Sequence, residues 1–431
     1  MTNSDTKNFS QNVSSSYYLE DRGKCNKNTC TNARNVPKLR FKGYNDEWIE
    51  KTFDEIFQII GNNTLSRDCL NYECMGTKNI HYGDILVKYN TCIDEDYCKM
   101  PIINPEISLD KIPMENYLKQ GDIVIADTAE DYTVGKTCEV INIHSKILSG
   151  LHTIPSRPKF HFAKGFLGYY FNSNKYHDRL IPIITGIKVS SINKREIKKT
   201  IVKFPTLPEQ EKIASFLTLI DKKIEKQKEL VELLKKYKRG LLSAIFSQKM
   251  RFKDDNGNDY PAWEEKYIQD VCLITTGKGN TQDKEENGIY PFYVRSPIIE
   301  KSNKYLFDGE AVLTVGDGVG TGKVFHYVNG KFNFHQRVYK MSNFSGINGK
   351  YFYYYFSTYF YDRVKRMTAK TSVDSVRMDM IAKMPIFIPT NEEQDKIINL
   401  LTNVENIFLK NENQLLLLQE YKKGLLQQMF I

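Results

Sequence analysis

One long segment of the sequence occurs twice, at a constant spacing. Residues 205–246 align without a gap with residues 389–430, at an offset of 184 positions, and 17 of the 42 aligned pairs are identical. The identities include Pro-Thr at the start, Glu-Gln shortly after it, and Tyr-Lys and Gly-Leu-Leu near the end. The chain therefore runs variable unit, shared segment, variable unit, shared segment. A duplicated ancestor explains this order and predicts two similar halves related by a pseudo-twofold axis.

Each shared segment is predicted to be one long helix. In the first copy, proline occurs only near the start, at Pro205 and Pro208, and none follows before Phe246. Proline followed by an uninterrupted run is the pattern with which helices begin. About 38 helical residues at 1.5 Å each give a rod of roughly 57 Å. Such a rod is long enough to hold two globular units apart.

Apolar residues recur in both segments at alternating steps of four and three, which predicts the narrow seam of a coiled coil. One polar position interrupts both copies, Gln227 in the first and Asn411 in the second. If the helices pair antiparallel, the two amides meet in one layer and fix the register at a cost in stability. The alternative is that both face solvent. The predicted seam comprises Ile213, Leu217, Ile220, Ile224, Gln227, Val231, Leu234, Leu241 and Ile245, and Ile397, Leu401, Val404, Phe408, Asn411, Leu415, Leu418, Leu425 and Met429.

The variable units, residues 36–204 and 247–388, are predicted to be α+β domains. Short apolar or alternating runs predict strands at 122–126, 138–143, 311–315 and 323–328, and longer runs predict helices at 164–172 and 350–367. Residues 1–35 are rich in Ser and Asn and are predicted to be a disordered polar tail. The predicted fold class is therefore α+β. Two globular units are separated by two long helices, 205–246 and 389–431, which form an antiparallel coiled coil with pseudo-twofold symmetry.

Composition narrows the possible functions. The sequence has no run of 18 apolar residues and no apolar signal core, so we expect no membrane partner and a cytoplasmic location with reduced cysteines. A net charge of +9 slightly favours an anionic partner. Three close cysteine pairs, Cys25/Cys30, Cys69/Cys74 and Cys92/Cys98, raise the alternative of a zinc site. Their spacing differs from that of zinc knuckles, so free thiols are favoured and no metal is expected.

No catalytic motif is complete. Residues 316–323 resemble a phosphate-binding loop, but Val324 stands where Ser or Thr is required and a strand is predicted to follow. Asp259, Glu264, Glu265 and Lys266 resemble the acid cluster of a metal-dependent nuclease. However, the Trp-x-Glu-Lys part of that cluster recurs around Trp48, which indicates an architectural role. The sequence therefore predicts a protein that is not an enzyme and has no catalytic residues.

The layout resembles the specificity subunits of type I restriction–modification systems. The resemblance rests on Leu39-Arg40-Phe41 and Trp48 before the first unit, on Phe-Pro-Thr-Leu-Pro-Glu-Gln at 204–210, and on Tyr-Lys-Arg-Gly-Leu-Leu at 237–242. It rests equally on the doubling of the whole arrangement. The resemblance covers nearly the entire chain, from residue 36 to residue 431.

The resemblance implies that residues 36–204 and 247–388 are target-recognition domains, each reading one half of a bipartite site in double-stranded DNA. The helices 205–246 and 389–431 would be spacers that set the gap and carry two methyltransferase subunits, and restriction subunits would be further partners. This chain would bind no cofactor. S-adenosylmethionine would be used by the methyltransferase subunits, and ATP and Mg by restriction subunits. An alternative is a coiled-coil protein-interaction scaffold without DNA specificity.

Candidate DNA contacts are polar side chains in predicted loops. Lys and Arg can anchor phosphates, whereas Arg, Gln, Asn and Asp can read base edges in the major groove. In the first unit the candidates are Lys78, Asn79, Thr128, Lys136, His152, Arg157 and Lys188. In the second unit they are Lys278, Asn280, Arg295, Asp317, Lys323, His335, Gln336, Arg337 and Lys370. The group His335-Gln336-Arg337 is the strongest of these, and sequence comparison aligns His152 with His335.

Overall fold

A computed structural model describes residues 35–431, except positions 74, 187, 319 and 369–374. The tail predicted for residues 1–35 lies outside the described residues apart from Asn35. That residue is fixed in the first globular unit, which corrects its assignment to the tail. Its carbonyl accepts the Trp48 N–H at 2.8 Å, and its side-chain oxygen accepts a hydrogen bond from Lys203 Nζ at 2.7 Å.

The first unit is built around a five-stranded sheet with the order β2-β11-β7-β9-β5. A four-stranded sheet, β10-β4-β6-β3, and the small sheets β12-β13-β8 and β1-β14 complete it. The strands are β1 (Ile49–Thr52), β2 (Phe57–Ile59), β3 (Leu70–Asn71), β4 (Lys78–Ile80), β5 (Cys92–Asp94), β6 (Ile102–Ile103), β7 (Ile123–Ala126), β8 (Thr128–Ala129), β9 (Thr137–Asn142), β10 (Ile147–Ser149), β11 (Thr153–Pro158), β12 (Ile184–Thr185), β13 (Ser190–Ile192) and β14 (Ile201–Phe204). The helices are α1 (Phe53–Ile56), α2 (Tyr82–Val87), α3 (Phe166–Phe171), α4 (Asn174–Leu180) and α5 (Lys194–Ile197), and the long helix α6 (Leu207–Phe246) follows.

The second unit repeats this plan with fewer elements. Its six-stranded sheet has the order β16-β21-β19-β20-β17-β18, and the ribbon β15-β22 takes the place of β1-β14. The strands are β15 (Glu264–Tyr267), β16 (Leu273–Thr276), β17 (Tyr290–Tyr293), β18 (Ile299–Ser302), β19 (Phe307–Val315), β20 (Phe325–Phe334), β21 (Val338–Ser342) and β22 (Pro385–Ile388). The helices are α7 (Ile268–Val271), α8 (Gly349–Thr368) and α9 (Met378–Ala382), and the long helix α10 (Asn391–Gln428) follows.

The strands and helices predicted from the sequence are all present, with shifted ends. The strand predicted at 323–328 begins at Phe325, and the strand predicted at 311–315 begins earlier, at Phe307. These two strands are longer than predicted because they pair antiparallel from Phe307↔Phe332 to Thr314↔Phe325. This long ladder includes polar and glycine positions, which interrupt the apolar pattern along the sequence.

The two long helices lie antiparallel, as predicted. Lys238 of α6 contacts Glu405 of α10 at 2.7 Å, whereas Asp221 of α6 contacts Lys422 of α10 at 2.6 Å. Residue numbers therefore increase along one helix in the direction in which they decrease along the other. All predicted seam side chains are buried or half-buried. The 40 residues of α6 span about 60 Å.

The two polar seam residues meet in one layer. Gln227 Nε2 donates to the backbone carbonyl of Asn411 at 2.9 Å and to its side-chain oxygen at 3.0 Å. Gln227 is 9% exposed, so the alternative in which both amides face solvent is wrong. A shift of one helix by a heptad would remove this hydrogen bond and place an amide against an apolar layer. The layer therefore fixes the register of the two helices.

The repeated motifs connect each unit to the start of a long helix. Arg40 donates through Nε and Nη2 to the two carboxylate oxygens of Glu209, both at 2.7 Å. Arg251 and Glu393 make the equivalent pair at 3.2 and 2.7 Å. The two carboxylates are 1% and 0% exposed. Because a buried carboxylate is costly unless it is paired, the Leu/Met-Arg-Phe motif and the Glu-Gln motif depend on each other.

The glutamine of each Glu-Gln motif holds the chain before the helix. Gln210 Nε2 donates to the Pro205 carbonyl at 2.8 Å, and its side-chain oxygen accepts the Ala163 N–H at 3.0 Å. Gln394 repeats both contacts in the second unit. The shared motifs are therefore architectural, and this explains why they occur twice.

Each unit packs on the end of one long helix and the start of the other. Phe430, just after α10, contacts the Trp48 ring of the first unit at 6.2 Å between centroids. Phe246, at the end of α6, contacts the Tyr355 ring of the second unit at 5.2 Å. These two phenylalanines are pseudo-twofold equivalents, so both units are seated in the same way on the coiled coil.

The backbone closes the same junction at both ends. The Met250 N–H donates to the Ala244 carbonyl at 3.0 Å where α6 leads into the second unit. The Leu39 N–H donates to the Gln428 carbonyl at 2.9 Å, although these residues lie at opposite ends of the described chain. The pseudo-twofold symmetry therefore extends to individual hydrogen bonds.

Candidate nucleic-acid interface

Three charged side chains lie together at one edge of the second unit. Asp317 follows the central strand β19, Arg337 directly precedes β21, and Arg295 follows β17. Asp317 Oδ2 lies 3.5 Å from Arg337 Nε, and Asp317 Oδ1 lies 3.6 Å from Arg295 Nη1. Both distances exceed the usual upper limit of about 3.2 Å for a hydrogen bond. The carboxylate therefore attracts both guanidinium groups without occupying their donors.

Both guanidinium groups face outward. The Arg295 side chain is 50% exposed and the Arg337 side chain is 64% exposed. Oδ1 of Asp317 is shielded from solvent and has no hydrogen-bond partner among the described residues. Free guanidinium donors next to a carboxylate acceptor are the groups that read guanine and cytosine edges.

Two neighbouring loops carry three further predicted contacts. The Gln336 N–H donates to the Gly279 carbonyl at 2.9 Å, which joins the loop after β20 to the loop after β16. The side chains of Lys278, Asn280 and Gln336 are all exposed on these loops. The structure therefore brings them to the same edge as Arg337.

His335 has a different role from the one predicted. It is 4% exposed, and its Nδ1 accepts the Arg337 N–H at 3.0 Å. Burial, together with the positive charge of Arg295, lowers the pKa of His335, so the ring is neutral at pH 7 and can accept this bond. His335 shapes the turn that presents Arg337, and its prediction as a direct DNA contact is corrected accordingly.

Two further predicted contacts of the second unit are Lys323 and Lys370. Lys323 is exposed, with Nζ 5.0 Å from the centroid of the Tyr361 ring on α8. Lys370 lies outside the described residues. The glycine-rich segment that contains Lys323 leads into strand β20, as expected, and not into the helix that a phosphate-binding loop requires.

The first unit carries a smaller polar cluster at its equivalent edge. The Thr128 hydroxyl lies 3.3 Å from Nδ1 of His152, and the same nitrogen lies 3.4 Å from Asp127 Oδ1. Tyr82 packs edge-on against the imidazole at 5.2 Å. Sequence reasoning missed Asp127 and Tyr82. The position of Asp127 directly after an apolar strand was a usable signal for the former.

His152 is the structural equivalent of Arg337. The His152 carbonyl accepts the Asp127 N–H at 3.1 Å, and the Arg337 carbonyl accepts the Gly316 N–H at 2.8 Å. In each unit this bond lies just beyond the last pair of the central ladder. The alignment of His152 with His335 is therefore wrong by two residues, because it followed residue type and not strand register. Thr128–His152 and Asp317–Arg337 are the matching pairs.

Two predicted contacts of the first unit make side-chain hydrogen bonds within the fold. Asn79 is 0% exposed, and its side-chain oxygen accepts a hydrogen bond from Asn63 at 2.7 Å. Arg157 donates to both carboxylate oxygens of Asp122, at 3.0 and 2.7 Å, and to two backbone carbonyls. Both were predicted to lie in loops but belong to strands β4 and β11, so that placement is wrong.

Two lysines of the first unit are also held by the protein. Lys78 forms an ion pair with Glu95, whose side chain is 7% exposed. Lys136 Nζ donates to the Leu86 carbonyl at 3.0 Å, and burial lowers its pKa. Each ammonium group therefore has a partner within the protein, and Lys78 lies in strand β4 and not in the predicted loop. Lys188 is exposed in the β12–β13 hairpin, on the small sheet that also contains Thr128.

The zinc site and the nuclease-like acid cluster, which the sequence raised as alternatives, can be compared with the structure. Cys69, Cys92 and Cys98 are free thiols, and the described part of the chain contains no metal-binding cluster of three or more His, Cys, Asp or Glu. Cys25, Cys30 and Cys74 lie outside it. Glu264 and Lys266 contact each other at 2.9 Å on the exposed strand β15. Among the described residues, no helix is long and apolar enough to span a membrane.

The coiled coil carries the same exposed apolar face on both helices. This docking face consists of Leu233, Tyr237 and Gly240 on α6, and of their equivalents Leu417, Tyr421 and Gly424 on α10. Residues spaced by four and three positions share one side of a helix. The leucine and tyrosine side chains are between 53% and 65% exposed. A Cβ added at either glycine would meet no described atom within 4 Å.

The family model and the related proteins that match this chain all point to one family. A family model described as the type I restriction modification DNA specificity domain matches residues 45–235 and 261–418. The EcoDI specificity subunit of Escherichia coli is 24% identical over 171 residues, which cover 38% of this chain and 37% of that protein. The chain therefore matches less than two thirds of that relative's length. The putative MjaX specificity subunit of Methanocaldococcus jannaschii is 21% identical over 319 residues, or 67% of this chain and 72% of that protein.

Solved structures share the fold. The S subunit of a type I restriction–modification system from M. genitalium superimposes with a TM-score of 0.60 at 13% identity, over 92% of this chain and 99% of that one. A chain from a structural study of type I R-M complex assembly and conformational transition superimposes with a TM-score of 0.55 at 15% identity, over 89% and 97%.

Proposed function

The chain belongs to the family of type I restriction–modification DNA specificity domains, and on that premise we propose that it is the non-catalytic, DNA-reading subunit of such a complex. Residues 36–204 and 247–388 are its target-recognition domains, and each reads one half of a bipartite site in double-stranded DNA. The chain acts in the cytoplasm and binds no cofactor. Methyltransferase subunits use S-adenosylmethionine, and restriction subunits, where they join the complex, use ATP and Mg²⁺.

The observation that carries this proposal is the pair of equivalent polar edges on two units held by one rigid coiled coil. Thr128–His152 and Asp317–Arg337 occupy the same place in the two units but differ in chemistry. A repeated fold with different side chains at one edge is suited to reading two different half-sites. Direct readout requires such donors and acceptors to enter the major groove.

The coiled coil explains why the gap between half-sites is fixed. Two readers on one face of a duplex bind half-sites about one helical turn apart, roughly 34 Å. The Gln227–Asn411 layer prevents the helices from sliding, and the buried Glu209 and Glu393 carboxylates prevent the units from shifting on the helices. The distance between the two edges is therefore set by helix length.

The docking faces support two copies of one partner. A glycine within an exposed helix lowers the stability of the helix by about 1 kcal/mol relative to alanine. At Gly240 and Gly424 no contact within the described chain explains why a side chain is absent. The close approach of a partner helix would explain it. Because the two faces are pseudo-twofold equivalents, they fit two identical methyltransferase subunits.

The test is an exchange of recognition domains. Residues 247–388 are replaced by the corresponding unit of a family member with a known target, and the complex is expressed with its methyltransferase subunits. We expect one half of the methylated site to change and the other half and the gap to stay. The matched control replaces residues 36–204 and should change the opposite half. An unchanged site in both exchanges would refute the reading of DNA by these units.

A further inference from the structure

We propose that Arg337 reads a guanine in the half-site bound by the second unit, and that Asp317 is the residue that positions it. The inference rests on the proposed function, because it names the base that one unit selects. It predicts that this half-site contains at least one G·C pair whose recognition depends on Arg337.

The side-chain donors of Arg337 have no hydrogen-bond partner among the described residues, whereas those of Arg40 and Arg157 are occupied. Arg40 and Arg157 each form two hydrogen bonds to one carboxylate, with the shortest at 2.7 Å. Arg337 approaches Asp317 only to 3.5 Å, and its side chain donates no hydrogen bond to any other described residue while being 64% exposed. Its planar fork is therefore available for the two acceptors, O6 and N7, that guanine presents in the major groove.

The guanidinium group of Arg337 is oriented before DNA binds. Asp317 attracts it from one side, and the backbone N–H of Arg337 is tied to the buried His335 ring at 3.0 Å. An arginine restrained at both ends loses less conformational freedom on binding than a mobile one. Orientation of this kind favours a specific base contact over a general phosphate contact.

Arg295 lies on the other side of the same carboxylate, with Nη1 3.6 Å from Asp317 Oδ1. When Arg337 turns to a guanine, Asp317 keeps one cationic neighbour. The carboxylate, which is 28% exposed, is therefore not left as an unpaired charge in a desolvated interface, which would oppose binding. With Arg295 on its other side, Asp317 can lose its contact with Arg337 at little electrostatic cost.

The equivalent place in the first unit has different chemistry. His152 stands where Arg337 stands, and Thr128 stands where Asp317 stands. An imidazole and a hydroxyl cannot form the bidentate contact of a guanidinium with guanine. The two half-sites should therefore differ at the base pair that these positions face.

The experiment uses the complete chain in complex with its methyltransferase subunits. The wild-type target is first obtained by sequencing methylated DNA, and methylation rates are then measured on duplexes in which each specified base pair is replaced in turn. Arg337→Lys keeps the charge but removes the bidentate fork. We expect it to reduce discrimination at one G·C pair of the second half-site by roughly 10- to 100-fold and to leave the other positions unchanged. Asp317→Asn should weaken discrimination at the same pair by a smaller factor.

The matched control is Arg195→Lys, a change of an exposed arginine on α5 of the first unit, which should alter no position. The salt dependence of binding separates the two roles of an arginine. In Arg337→Ala, which removes the charge, the slope should stay nearly the same if the residue reads a base and fall by about one if it contacts a phosphate. If the target is bipartite but no G·C pair responds to Arg337→Lys, the inference is overturned and the proposed function stands. If wild-type methylation shows no bipartite target, the proposed function itself fails.

Discussion

Lengthening the coiled coil should lengthen the gap between the half-sites by a calculable amount. One heptad is added to each long helix by duplicating residues 224–230 in α6 and residues 408–414 in α10. A heptad preserves the seam, because apolar residues recur every 3.5 positions on average. Each duplicated glutamine also finds an asparagine in the opposite helix, so the polar layer becomes two layers and the antiparallel register is kept.

The expected change follows from helix geometry. Seven residues at 1.5 Å each move the two units about 10 Å further apart along the coiled-coil axis. One turn of DNA spans about 34 Å in about 10 base pairs, so 10 Å corresponds to about three base pairs. Both half-sites should keep their sequences, because neither recognition unit is changed.

The assay is sequencing of methylated sites in cells that express the lengthened chain together with its methyltransferase subunits. The reasoning predicts the original half-sites with a gap about three base pairs longer. Adding the heptad to α6 alone is the control. It leaves the Gln227–Asn411 layer mismatched and should abolish methylation. An unchanged gap in the doubly lengthened chain would refute the role of the helices as a spacer.

Three further perturbations test separate parts of the structure. Gly240→Ala should raise the free energy of unfolding of the isolated chain by about 1 kcal/mol, as measured by thermal unfolding. It should also weaken methyltransferase binding, as measured by calorimetry. Unchanged binding would contradict the assignment of the docking face. Burial raises the pKa of Glu95, but hydrogen bonds from backbone N–H groups and Lys78 outweigh this and lower it to about 2. The stability that the ionised Glu95 carboxylate contributes should therefore be complete above pH 4.5 and fall by roughly 3 kcal/mol toward pH 2. Glu95→Gln should make the free energy of unfolding less dependent on pH in this range. Glu393→Ala should lower the free energy of unfolding, measured with denaturant, by about 2 to 3 kcal/mol, because it leaves the Arg251 guanidinium without its carboxylate. A change near zero would contradict the role of this ion pair in joining the second unit to its helix.

The architecture could be predicted from the sequence because it depends on periodic and repeated features. The offset of 184 positions reveals the two halves, and the alternating steps of four and three reveal the seam and its polar layer. Both signals can be read from the sequence without knowing which residues are in contact. The antiparallel pairing of Gln227 with Asn411 then follows from their matching positions in the two copies.

The candidate site was predicted less well, because residue type does not reveal partners. Asn79 and Arg157 are polar residues of the kinds that read bases, yet Asn79 is buried and the Arg157 guanidinium is bound by a carboxylate of the protein. Their side-chain partners, Asn63 and Asp122, lie 16 and 35 positions away, so only the folded chain brings them together. The equivalence of His152 with Arg337 likewise depends on strand register, which the sequence comparison did not contain.

The most direct test of the central claim is a genome-wide map of adenine methylation in otherwise identical cells with and without this gene. The account predicts that deletion removes methylation from one bipartite motif, with two short specified halves around an unspecified gap, and that the half read by the second unit contains a G·C pair. An unchanged methylation map, in cells where the chain is expressed and still co-purifies with a methyltransferase, would contradict the account and favour a protein-interaction scaffold.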